Sequence, residues 1–375
     1  MTYLLSIVIP TKDRYYYLKQ LIELIRSYNT DDIELIIQDN TLENKEIVDY
    51  INSLNYKNLK YFHTNEQLAV SDNCSKAVQN STGKYVCVIG DDDGVLPSIV
   101  NVVKDMDRGN YDALVPKYTI YNWPDYVDNS IYKTSSTILY NKGDKSLKEV
   151  NPREEFTKAK QSGFRNMALM PRIYQAIVKR SILNEVFDKC GSFFPGPSPD
   201  MSNAVALSCL ENAPRTVYYD AIVVISGQCK SVGGGERIMK KNQLKLIDEV
   251  PFLPKNVKEI WDNRLPKYWC SDTVWPASAT CAFNQMTGET ISFDQNLVIA
   301  RFIYNHPTYY KECIGMAPSK PRVWIVSLRF TVGRIIMKAR NLICYLISRK
   351  KKDANYSYAR NVNNISEAVR FLIEQ

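Results

Sequence analysis

Short apolar runs at residues 4–9 (LLSIVI), 33–38 (IELIIQ), 59–63 (LKYFH) and 85–89 (YVCVI) alternate with helical-period segments, and each run ends on polar or turn-forming residues. The first is stopped by Pro10 and Thr11 and followed by the turn KDR. Leu18, Leu21, Ile22, Leu24 and Ile25 then recur at the spacing of one helix face. The second closes on Asp39, Asn40 and Thr41 ahead of a helix carrying Ile47, Val48 and Ile51, and a third helix is read from Leu68 through Val78. Continuous apolar strands separated by amphipathic helices need helices on both faces of a sheet. The pattern therefore predicts an α/β chain with a doubly wound, mainly parallel sheet. Such sheets bind ligands at the carboxyl ends of their strands, where Thr11, Asp13, Asp39 and residues 91–93 all fall.

The fourth run leads directly into Asp91, Asp92 and Asp93, with Gly94 and Pro97 marking a break behind them. Three carboxylates at the mouth of a buried strand repel one another unless a cation compensates them. Their hard oxygens suit Mg²⁺ or Mn²⁺, and Mg²⁺ commonly takes one or two protein carboxylates plus substrate phosphates. On the residues alone the triplet reads equally as a solvated acidic turn or helix N-terminus.

The ordered set SIVIPTKDR, ELIIQDNT and NEQLAVSDNCSKAVQNSTGKYVCVIGDDD resembles the nucleotide-sugar-binding half of family 2 glycosyltransferases of the GT-A fold, well over residues 3–100 and loosely over 165–235. The resemblance implies that Pro10, Thr11, Asp13 and Arg14, then Asp39, and then Asn73, Asp91 and Asp92 hold a nucleotide-sugar donor, a UDP-sugar foremost. It also implies a metal on Asp91 and Asp93 that bridges the donor phosphates. The family's N-x-G-x-x-x-A-R-N segment is replaced here by Asn65, Gln67, Ser71, Asp72 and Asn73. Gly90 stands where many members carry the first Asp, so the metal register runs from Asp91 to Asp93 or centres on Asp92. The GDDD form resembles a subset that transfers sugars in bacterial surface-polysaccharide (O-antigen or capsule) assembly. The implied acceptor is a hydroxyl of a glycan or lipid-linked saccharide.

Residues 190–199, rich in Gly, Pro and Ser, deliver Asp200 to the start of a helix read through Leu210. Alone, Asp200 reads as a helix cap. The resemblance implies that it is the general base of an inverting transfer, taking the proton from the acceptor hydroxyl; Asp188 and Glu211 are the weaker alternatives. Residues 226–237 (SGQCKSVGGGER) carry Lys230, Ser231 and Arg237, which are expected to close over a diphosphate as a lid. A plain surface loop fits that segment equally well.

With 375 residues and 45% hydrophobic content, the chain is expected to form a catalytic domain over 1–240 and a mostly helical region over 241–375. Net charge is +8, and residues 322–352 interleave Arg329, Arg334, Lys338, Arg340 and a final RKKK with Trp324, Leu328, Ile335 and Ile336. That stretch reads either as a helix lying on an anionic membrane or as one packed on the catalytic domain or a second copy. Around a helical wheel its charges do not gather on one face. Nucleic acid is disfavoured, because no recognition motif accompanies the basic run and the triplet repels phosphates without metal.

Met1 leads straight into a strand and no apolar stretch of about 20 residues exists, so neither a signal peptide nor a spanning helix is expected. The nine cysteines show no C-x-x-C spacing, as in reduced cytoplasmic proteins, so a cytoplasmic chain is expected, and the basic stretch with the lipid-linked acceptor that the resemblance implies adds the inner face of the cell membrane. His63 and His306 read as structural. Two other classes remain: a sugar nucleotidyltransferase, disfavoured because PTKDR is short and lacks glycine, and a non-catalytic membrane scaffold, disfavoured by the joint presence of Asp13, Asp39, the triplet and Asp200.

Overall fold

The structure, a computed structural model, describes residues 3–127, 135–141, 143–230, 243–348 and 356–375. Its first half follows the alternation of the sequence: β1 (Leu5–Thr11), α1 (Tyr15–Arg26), β2 (Ile33–Asp39), α2 (Lys45–Leu54), β3 (Leu59–His63), α3 (Val70–Gln79) and β4 (Tyr85–Val88). Next come β5 (Gly94–Val95), α4 (Ile99–Arg108), β6 (Ala113–Asn122), β7 (Thr137–Asn141), β8 (Leu147–Val150), α5 (Pro152–Gln161), β9 (Ile177–Lys179), α6 (Arg180–Cys190), α7 (Pro199–Ser208) and β10 (Thr216–Gln228). The remainder is α8 (Val257–Ile260), α9 (Ser271–Thr287), α10 (Gln295–Asn305), α11 (Tyr310–Cys313), α12 (Lys320–Ser348), β11 (Tyr356–Arg360) and α13 (Ile365–Ile373).

One sheet runs β11-β7-β6-β9-β4-β1-β2-β3, with β10 alongside β6. Strands β4, β1, β2 and β3 are mutually parallel, whereas β9 enters antiparallel between β4 and β6. Every residue of β2 is buried, and β1 exposes only Pro10 in part. This is why both strands read as unbroken apolar runs instead of alternating ones. The register pairs Thr11 with Asp39 and Val8 with Val88, so the polar ends of β1, β2 and β4 emerge side by side.

Residues 241–375 do not behave as one appendage. Trp261, Trp269 and Val298 centre one apolar cluster of the helical region, and Phe302 with Ile299 and Cys313 centres another. Strand β11, by contrast, pairs with β7 at the sheet edge, and α13 buries Ile365, Ala368, Val369 and Leu372 in the main core. The last residues thus rejoin the catalytic half through non-local packing that no local pattern announces.

The chain enters β4 past one buried carboxylate. Glu34, fully buried in β2, accepts from Ser6 Oγ at 2.7 Å, Gly83 N at 2.9 Å and Thr82 Oγ1 at 3.0 Å, and pairs with Lys60 Nζ at 2.7 Å. Burial opposes its charge, yet Lys60 with the Ser6 and Thr82 donors holds its pKa below the ordinary glutamate range. Glu34→Ala leaves several buried donors without a partner, and the expected loss of stability is about 3 kcal/mol at pH 7. A folded-state pKa below the unfolded one stabilises above the unfolded pKa and is lost as pH falls through the folded value. The gap in chemical denaturation between wild type and variant should therefore narrow as pH falls through the acid range in which Glu34 protonates. A gap independent of pH would refute the charge-linked part of this account.

Candidate active site

The turn after β4 carries the three acidic residues, all buried. Gly90 O accepts from Asp93 N at 3.2 Å, which folds residues 90–93 into a tight turn, and Trp123 Nε1 donates to Asp92 O at 2.9 Å from the end of β6. Asp91 Oδ2 accepts from Thr11 Oγ1 at 2.6 Å, joining the ends of β4 and β1. Arg14, just before α1, lays its guanidinium across the pair, with Nε 3.0 Å from Asp91 Oδ1 and Nη2 2.8 Å from Asp92 Oδ2. The turn that delivers Arg14 has Asp13 in the left-handed region, at φ 57°, with its N–H donated to Thr41 Oγ1 at 2.8 Å.

Asp93 has a different environment from its neighbours. Its Oδ1 accepts from Gly227 N at 2.8 Å, and its Oδ2 accepts from Gly90 N at 2.8 Å, Gln175 Nε2 at 3.0 Å and the Tyr174 hydroxyl at 3.2 Å. Both oxygens expected to ligate metal are thus engaged by protein donors. Asp91 and Asp92 are the two carboxylates that share the Arg14 guanidinium, and Asp91 also accepts from Thr11. Burial pushes the Asp91 carboxyl above its ordinary range against the pull of Arg14, and the like charge of Asp92 adds to the rise. Burial and then Asp92 do the same to Asp93, against Gln175 and the two backbone N–H groups. Although burial disfavours its charge, Arg14 is held above its ordinary value by Asp91 and Asp92. One guanidinium facing three buried carboxylates leaves negative charge uncompensated, and hard oxygens of that kind fit Mg²⁺ or Mn²⁺.

Asp39, fully buried at the end of β2, accepts from the Tyr15 hydroxyl at 2.7 Å, the Tyr61 hydroxyl at 2.8 Å and Thr41 N at 2.8 Å. Asn73 on α3 donates to Thr11 O at 3.5 Å, while its buried Oδ1 accepts no hydrogen bond among the described residues, and neither does the buried Oδ1 of Asp125. Buried acceptors without a protein partner are available to a further polar group. A cleft of about 1020 Å³ opens past the ends of β1 and β2, lined by Asp13, Tyr15, Tyr16, Thr41, Asn363 and Asn364 among others. An adjoining one of about 490 Å³ is lined by Arg14, Tyr17, Asp125 and Lys230. Pro10 lies within β1, immediately before Thr11. Lys230 reaches Asp125 at 4.0 Å, whereas Ser231 and Arg237 of the expected lid lie outside the described residues.

Asp200 stands in the first turn of α7. Its side chain keeps some exposure, yet the surrounding protein desolvates the carboxylate and pushes it up to about 6 against the pull of Arg172. Arg172, itself buried, is lowered by burial with Asp200 opposing. Tyr174, its hydroxyl bonded to Asp93, feels both carboxylate groups. Burial first, then the charges of Asp93, Asp200 and Asp92, holds its hydroxyl well above the ordinary tyrosine range. Segment 173–175 runs beside the end of β4 through Val88 N to Ile173 O at 3.0 Å and Gln175 N to Val88 O at 2.8 Å, and Ile173 N donates to Asn203 Oδ1 of α7 at 2.9 Å. The same few residues thus position Asp93 and the helix bearing Asp200. Arg172, Tyr174 and Gln175 escape sequence reading because PRIYQ has no period. Gly227, inside a strand, is the one missed residue with a legible signal, since an interior strand glycine marks a close backbone approach.

The model of the family described as Glycosyl transferase family 2 matches residues 6–195. No curated protein matches the sequence significantly. Among solved structures, the crystal structure of S. aureus TarS is similar at 16% identity and a TM-score of 0.41, covering 64% of this chain and 38% of that one. S. aureus TarS 1-349 in complex with UDP-GlcNAc is similar at 14% identity and a TM-score of 0.46, covering 88% and 89% of the two chains. The complex of TarS 1-349 with UDP gives 15%, 0.43, and 87% of each.

Proposed function

The chain belongs to glycosyl transferase family 2 and is a glycosyltransferase, and from that premise we propose that it transfers a sugar, with inversion, from a UDP-sugar to a hydroxyl of a glycan or lipid-linked saccharide in bacterial surface-polysaccharide synthesis. The observation that carries this is the meeting of Thr11, Arg14, Asp91 and Asp92 at one strand edge, with the helix that bears Asp200 held by segment 173–175, which also donates to Asp93. In this reading the nucleoside lies along the ends of β1 and β2, beside Asp13, Thr41 and Asp39, and its diphosphate reaches Arg14, with Lys230 at the outer rim. Asn73 offers its unpaired Oδ1 to a donor hydroxyl.

Asp91 and Asp92 would hold the divalent cation, which when bound offsets the charge growing on the leaving diphosphate. Asp93 would fix the turn through its four donors. Asp200 takes the proton from the acceptor hydroxyl as that oxygen attacks, and Arg172 stabilises the carboxylate in its charged form. A raised pKa makes it a stronger base than an ordinary aspartate while leaving it ionised at neutral pH.

Calorimetric titration with UDP, GDP and dTDP, each with Mn²⁺ and with chelator, tests the donor class. UDP is expected to bind in Mn²⁺ and at least tenfold more weakly in chelator, and the other two more weakly than UDP. Absence of binding by all three would refute the donor assignment and leave a scaffolding role. Tight binding that ignores chelator would remove the metal from it.

A further inference from the structure

Helix α12 has two apolar faces, and among the described residues only one is covered. Val323 and Val326 are buried, and Phe330 half-buried, against the cluster of Ile299, Phe302, Ile303 and Ile314. At about 100° per residue these three fall within a narrow sector. On another sector, spanning about 120°, lie Trp324, Leu328, Ile335, Val332, Ile325 and Ile336, and all six are exposed, from 47% at Val332 to 64% at Leu328. From Trp324 to Ile336 this stripe runs about 18 Å along the helix.

Cations edge the stripe on both sides. Arg322 and Arg329 follow one border and Lys320 the other, all exposed, with Arg322 also paired to Asp294 at 2.8 Å; Arg334 lies toward the docked face, over the Tyr304 ring. On a bare helical wheel the charges look scattered. Once the docked face is subtracted, Lys320, Arg322 and Arg329 bracket the free one. Between Lys320 and Lys352 the sequence has ten Lys or Arg and no Asp or Glu. Trp324 packs against Tyr310 with ring centroids 5.5 Å apart, an aromatic pair at the edge of the stripe of the type enriched at the water–lipid boundary.

We propose that α12 lies in the plane of an anionic membrane surface, with this stripe at the boundary between headgroups and acyl chains and the bracketing cations on the lipid phosphates. Among the described residues no helix is long and apolar enough to cross a membrane, so the contact is with the surface. A second copy of the chain is the poorer occupant. Two α12 stripes face to face would bring Arg against Arg with no carboxylate on either helix to pair them. The inference stands on the helix and its charges and does not depend on the donor reading.

Flotation of the full chain with vesicles tests it, using phosphatidylcholine alone and a 7:3 mixture with phosphatidylglycerol. The anionic vesicles should bind at least tenfold more protein than the neutral ones at 0.1 M NaCl, and most of that should be lost at 1 M, since the surface term is screened. The double variant Leu328→Glu/Ile335→Glu should lose binding tenfold or more while keeping the wild-type melting temperature, because both side chains already face solvent. Equal binding to the two vesicle types, or a variant that binds as wild type does, overturns the proposal. So does a dimer in light scattering that dissociates in the double variant with no vesicle binding by the wild type, which gives the stripe to a second copy. Nucleotide titration on the same samples reports on the donor site separately, so failure of either reading is visible without the other.

Discussion

Asp200→Asn is expected to slow transfer by about 10²-fold or more, the usual scale for removing a general base, and to leave nucleotide affinity within twofold of wild type. The amide keeps the size and the position in the first turn of α7 but cannot accept the proton. The pH dependence sharpens this result. With the carboxyl pushed up to about 6, and the base active only when unprotonated, wild-type kcat/KM should rise with pH through about 6 and level off above it. The variant should lack that limb. A near-normal rate in Asp200→Asn would remove Asp200 from the chemistry, and a retained limb would assign the titration to another group.

Gly227→Ala is expected to abolish metal-dependent nucleotide binding and to lower stability by about 3 kcal/mol, toward the upper end of overpacking costs. A Cβ at this position would sit 1.7 Å from Asp92 O and 2.4 Å from Asp92 C, with Asp93 N at 3.1 Å. Those are backbone atoms of the triplet, and no rotamer change clears them. Either the 90–93 turn shifts, breaking the Gly227 N to Asp93 bond and the Trp123 bond to Asp92 O, or β10 leaves its register with β6 at Tyr121. Thermal melting and calorimetry on one preparation check both parts. A variant that melts and binds as wild type does would refute the close approach.

These two positions differ in how visible they are before folding. Asp200 follows a run of Gly, Pro and Ser and opens a helix, so the chain itself marks it as special, although capping and catalysis leave the same local trace. Gly227 is one glycine in a segment that equally resembles a mobile loop, and only the approach of β10 to the triplet gives it a task. The C-terminal region makes the same point at larger scale. The helical character of the region after 240 and the basic helix near 322–352 are legible in the sequence, while the return of β11 to the sheet edge and of α13 to the main core is not, because Ile365 and Leu372 meet partners hundreds of residues away.

The amino-acid sequence by itself determined the β-α alternation, the burial of β1 and β2 on both faces, and the gathering of Thr11, Asp39 and Asp91 at the strand ends. Hydrophobic period and strand length are local quantities, and a parallel sheet places the polar residue after each apolar run on the same edge. Only the tertiary structure decided which carboxylates of the triplet face Arg14 and which is held by neutral donors. The donors that occupy Asp93 come from Gln175, 82 residues along the chain, and from Gly227, 134 residues along, and no window of the sequence holds both ends of those bonds. It likewise decided which face of α12 is covered, since a helix with two apolar sectors docks the one its neighbours fit and leaves the other bare.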